Sequence, residues 1–277
     1  MRSNALLGIT LLCLVLGLGF THNAFAKEAA EAYRTHSEET FYFFSEASFE
    51  SFTCRMQVDA LDNLVQSIEA QFKAAKMPVS VKENRADFQV SFVRAQDTPT
   101  FIEPSLTLEM QPGAPLKDPE TTKAGIAQVE AGYKGVVIGA VQVVRGVFDE
   151  FISSRFAKYK DVVFKADAKG YDASFTKDEG QIQESFDGRI RRMTFSAQGQ
   201  SITSKSTYAP KGKAGLLLAS AELIPGPGMR ITITVDYQRI KGLLLPKTIS
   251  VASRQELGGK VVENLVGVTL QGCKVKR

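Results

Sequence analysis

Histidine and cysteine are nearly missing from this chain of 277 residues, which has two His, three Cys and no Trp. So few histidines cannot build an imidazole metal cluster, and they leave a Ser-His or Cys-His catalytic pair almost nothing to draw on. There is no Gly-x-Ser-x-Gly elbow, no P-loop and no Gly-x-Gly-x-x-Gly fingerprint, so the common motifs of acyl transfer and nucleotide binding are absent too. Three cysteines in this length exclude a disulfide-dense miniprotein. A chain that is 44% hydrophobic and 23% charged is not a disordered tail. The formal charge of +4 is too small for a nucleic-acid partner, which calls for a broad basic excess with interleaved aromatics.

What is present begins with the first 26 residues, which read as a signal peptide. Arg2 supplies a positive start, Ala5 to Phe20 an apolar run, and Ala24-Phe25-Ala26 a small-x-small cleavage site before Lys27. The run is somewhat short for a membrane span. Cys13 follows Leu12 in mid-run rather than closing it, which argues against a lipid anchor. The expectation is a single exported domain over 27–277, periplasmic in location, with no transmembrane anchor after cleavage and a lone histidine, His36.

Cleavage leaves two cysteines, Cys54 near the start and Cys273 near the end. In an oxidising compartment they read most simply as one disulfide, which would make the first and last strands neighbours. The alternative is two thiols buried in the core. Neither sits in a Cys-x-x-Cys setting, so a redox pair is disfavoured.

Along the chain, Lys27 to Ser45 reads as an exposed helix or frayed leader, with Phe41-Tyr42-Phe43-Phe44 packing on the body. Phe52, Cys54, Met56 and Val58 alternate as a half-buried strand, and Asp59 then caps a helix running to Met77. Val79 to Val93 suggests a hairpin turning at Asn84, with Phe88, Val90 and Phe92 on one face. Leu106, Leu108 and Met110 form another strand, ended by Pro-Gly-Ala-Pro at 112–115. Asp118-Pro119-Glu120 opens a long helix over about 119–156, with an apolar stripe of 3.6-residue period. Beyond Asp161 only strands and short turns follow, including Asp187-Gly188 and Gly258-Gly259. Short links favour an antiparallel meander. The expected fold class is therefore α+β, a large curved antiparallel sheet or open half-barrel packed on helices.

Candidate chemistry is sparse. Ser174-x-x-Lys177 matches a nucleophile motif that needs a helix start, but it lies on a strand, where the two positions face opposite ways. Acidic pairs such as Glu38-Glu39, Asp149-Glu150 and Asp178-Glu179 read as solvated surface. Arg189 and Arg191 share a face with Met193 and Phe195 and could form a rim for an anionic head group, or simply a charged strand end. No metal site and no cofactor are expected.

The stretch from Ile231 to Ile249, with Tyr237, Gly242, Leu245-Pro246 and Ile249, resembles the Tyr…Gly…Leu-Pro…Ile hairpin of the periplasmic lipoprotein-carrier (LolA/LolB-like) superfamily. The resemblance covers the C-terminal half, and the long helix from Asp118 has no counterpart in it. It implies a curved half-barrel, capped by helices, that encloses a cavity for acyl chains. The expected function is accordingly an exported, non-enzymatic carrier whose partner is a lipid or acylated protein. Phe175, Phe195, Ile231, Ile233, Val235, Val266, Val268 and Leu270 are candidates for the cavity wall, or for ordinary core. The alternatives are a cell-envelope structural or interaction protein with a filled core and, third, a secreted hydrolase.

Overall fold

The computed structural model describes residues 24–44, 47–85, 88–110, 119–152, 160–167, 170–177, 180–210 and 215–277. The signal segment before Ala24, the Pro-Gly-Ala-Pro run, Asp118, residues 153–156 and Asp178-Glu179 lie outside the described residues, and the long helix ends at Asp149, short of the expected 156.

The described elements are α1 (Ala24–Thr40), β1 (Ser51–Val58), α2 (Asp59–Ala74), β2 (Val79–Asn84), β3 (Gln89–Val93), β4 (Thr98–Ile102), β5 (Ser105–Met110) and α3 (Pro119–Asp149). The meander that follows comprises β6 (Lys160–Ala166), β7 (Gly170–Lys177), β8 (Gly180–Asp187), β9 (Ile190–Ala197), β10 (Gln200–Pro210), β11 (Leu216–Gly226), β12 (Met229–Ile240), β13 (Leu243–Leu257) and β14 (Lys260–Lys276). The protein is an open, curved 12-stranded antiparallel sheet packed on helices, in the order β4-β3-β1-β14-β13-β12-β11-β10-β9-β8-β7-β6. Every strand from β6 to β13 pairs with its successor, as short connections require. At the β13–β14 turn, Gly258 and Gly259 both hold positive φ (56° and 78°), the backbone a two-residue hairpin needs and glycine supplies without strain.

The first and last strands meet inside the sheet. β1 pairs antiparallel with β14 from Ser51↔Lys276 to Val58↔Val268, and Cys54 and Cys273 are disulfide-bonded across that pair, with Cα atoms 4.0 Å apart. Buried positions alternate along the strands, so one face of the sheet is dry and the other wet. The dry face is filled from several elements. Phe44, Phe49, Phe52, Phe92, Phe148 and Phe151 form one aromatic cluster joining the segment after α1, β1, β3 and the end of α3, with Phe44 and Phe151 stacked at 4.9 Å.

Three local expectations change, and one strand is added. The α1 segment is no frayed leader: Tyr33 and Ser37 are buried, and Tyr33 meets Phe164 and Tyr171 edge-on at 5.5 and 5.2 Å. Asp59 is the first residue of α2 and not its cap, a position Val58 takes without a side-chain hydrogen bond. β2 and β3 are not a hairpin. β3 pairs with β1 and β4 in the main sheet, whereas β2 pairs with β5 in a separate two-stranded sheet. β4 escaped notice in the sequence because Pro99 and Thr98-Thr100 give it little apolar alternation, which an edge strand tolerates.

Candidate functional site

The long helix α3 lies over the dry face. Tyr133, Val137, Ala140, Val144, Val147 and Phe148 form its buried stripe. Gln142, Gly146 and Glu150 follow at i, i+4 and i+8, about 12 Å apart end to end, on a second face. Beneath that face two cross-strand rows cross the sheet. One runs Arg191, Ser206, Ala221, Ile233 and the other Met193, Ser204, Leu223, Ile231. Serine and alanine in these rows, opposite Gly146, are too small to fill the gap, and a cavity of about 80 Å³ remains between α3 and β9–β12. Its wall is mostly apolar, from Val143, Val147, Met193, Leu218, Leu223 and Ile233.

One end of the cavity is charged. Arg191 (7% exposed) donates to Glu150 Oε1 at 2.6 Å, and Tyr208 donates its hydroxyl to Glu150 Oε2 at 2.9 Å. Burial opposes the charge on Arg191, but Glu150, Tyr208 and Glu184 outweigh it and push the guanidinium well above its ordinary value. The polar cluster continues toward α1, where Glu184 (5% exposed) accepts from the Tyr33 and Tyr171 hydroxyls at 2.5 Å each. Burial and the Glu184 charge raise Tyr171 well above the usual phenol range. Gln142 Oε1 is buried against the cavity without a hydrogen-bond partner.

Of the eight wall candidates, Ile233 alone lines this cavity. Ile231, Val235, Val268 and Leu270 are buried on the same dry face, and Val266 is half-buried there. Phe175 lies under α1, its ring 6.1 Å from that of Tyr33. Half-buried Phe195 covers Gly180, where a Cβ would come within 2.2 Å of the ring. The two arginines part company: Arg189 is exposed in the β8–β9 turn, while Arg191 is inside and ion-paired rather than on a rim. Ser174 and Lys177 sit on opposite faces of β7, Lys177 buried.

Glu150 is not the solvated surface acid that the sequence suggests but is largely buried and ion-paired, and Gln142, Gly146 and the two serines were missed. The signal available was a polar and small i, i+4, i+8 set beside the apolar stripe of the helix, together with serines at the inward positions of β10. Among the described residues no group of three or more His, Cys, Asp or Glu could hold a metal ion, and no helix is long and apolar enough to cross a membrane. No family model, curated protein or solved structure matches the chain.

Proposed function

We propose that this protein is an exported carrier that shields the acyl chain of a lipid or an acylated protein between α3 and the dry face of its sheet. The observation that carries the reading is the cavity between α3 and the dry face of an open sheet, its wall mostly apolar with the Arg191–Glu150 pair set into it. Its 80 Å³ is a fraction of the roughly 300–1,000 Å³ of a typical small-molecule site, so loading requires α3 to move aside. On this reading α3 covers the surface along which the chain would lie. The ligand then covers the apolar surface that α3 uncovers, at about 0.8 kcal/mol per methylene removed from water, with no covalent step.

The small cavity also favours a second reading, an envelope interaction protein with a filled core. The far end of the sheet supports it, because Val261, Val262 and Leu265 (75% exposed) leave apolar side chains on the β13–β14 hairpin. Native mass spectrometry of protein taken from its own compartment, combined with uptake of a fluorescent fatty acid, separates the two. The carrier shows copurifying lipid or acylated peptide and takes up the probe, and Ala221→Phe, which fills the cavity, cuts uptake at least fivefold. A bare protein that takes up no probe sinks the carrier reading.

A further inference from the structure

The wet face of β6–β9 holds a second concavity, independent of the one under α3. Its volume is about 430 Å³, within the range of small-molecule sites. Strand register sets its composition. Lys165, Asp172, Ser185 and Arg192 form one cross-strand row, and Val163, Ser174, Gln183 and Thr194 form the next. All eight line the groove. Among the described residues, no hydrogen bond or ion pair joins the polar side chains of these rows to one another, although Lys165 lies directly across from Asp172 and Ser185 lies between Asp172 and Arg192.

The chemistry of the two rows is specific in kind. Hydroxyls and a carboxamide both donate and accept, which suits a ligand whose own groups do both, as sugar hydroxyls do. Lys165 and Arg192 stand at the two ends of the charged row, and Arg192 lies across from Lys205 on the next strand. Glu184 also borders the groove, but it is buried and its carboxylate is held by Tyr33 and Tyr171, so within the two rows Lys165 and Arg192 face Asp172 alone. The guanidinium of Arg192 presents a planar fork for a carboxylate or phosphate. Three strand spacings separate Lys165 from Arg192, about 14 Å, which is room for several linked rings rather than for one ion.

We infer that this groove binds an acidic carbohydrate, its hydroxyls met by Ser174, Gln183, Ser185 and Thr194 and its acid groups by Arg192 and Lys165. The site does not depend on the carrier reading, since it lies on the opposite face of the sheet.

Isothermal titration of the full folded chain at low salt with an oligogalacturonate, a neutral galactan oligomer of equal length and monomeric galacturonate tests it. The acidic oligomer is expected to bind at least tenfold tighter than the neutral one, with the difference shrinking severalfold in 0.5 M salt. Arg192→Gln should remove about tenfold of the acidic affinity, and Gln183→Ala should weaken both oligomers. These are surface changes that leave the fold intact. Arg254→Gln, on the same wet face but on the β13–β14 hairpin, should change nothing. Monomer binding as tight as the oligomer assigns the groove to free sugar acids, and weaker monomer binding assigns it to a chain. Equal affinity for acidic and neutral oligomers, no binding by either, or equal losses from Arg254→Gln and Arg192→Gln overturn the inference.

Discussion

Replacing Cys54 and Cys273 together by alanine is expected to lower stability by about 5 kcal/mol and the melting midpoint by roughly 10–20 °C. The reason is the length of the loop that the bond closes. The two cysteines are 219 residues apart, so the cross-link closes a long loop and takes a correspondingly large loop-closure entropy from the unfolded chain. Alanine leaves little strain behind: the site sits between paired strands, and β1–β14 hydrogen bonding continues on both sides from Phe52↔Val275 to Val58↔Val268. Thermal and denaturant melts of the double variant, beside the parent with and without reductant, measure the effect. A parent midpoint that neither the double substitution nor reduction moves would show that the bond does not form in the protein.

The same pair of residues shows how far the sequence could be read. Cys54 and Cys273 implied that the first and last strands are neighbours, and β1 and β14 do pair inside the sheet. The meander from β6 to β14 was legible because each strand alternates against one dry face and each turn carries its glycine signal, as at Asp187-Gly188 and Gly258-Gly259. The N-terminal part was less so. Whether β2 turns back on β3 or leaves for β5 depends on which sheet completes each strand, and that is a long-range choice with no local mark. The cavity under α3 was illegible for a related reason. Alternation says that Ile231, Val235 and Leu270 are inward, but not which inward positions are left uncovered. That depends on small residues facing one another across different elements, Gly146 on the helix with Ser204, Ser206 and Ala221 on the sheet.

Arg191→Met is expected to cost about 3–5 kcal/mol at neutral pH, far more than a surface arginine. Methionine fills much the same space, so the loss is electrostatic. Glu150 loses its guanidinium partner at 2.6 Å, and the field that Arg191 exerts on Glu184 and Tyr171 disappears with it. A buried carboxylate deprived of its cation either stays charged at high cost or takes up a proton. The sign with pH follows. In the variant the native state holds protons on Glu150 more readily than the unfolded chain does, so stability falls as pH rises and the deficit against the parent shrinks in acid. The double variant Arg191→Met/Glu150→Gln removes the orphaned charge while keeping an acceptor for the Tyr208 hydroxyl, and should recover at least half of the loss. Urea unfolding of the parent and the two variants at pH 5 and pH 8 checks both parts. A deficit in Arg191→Met that is the same at the two pH values and untouched by Glu150→Gln would mean that packing, and not the pair, holds the end of α3 against β9 and β10.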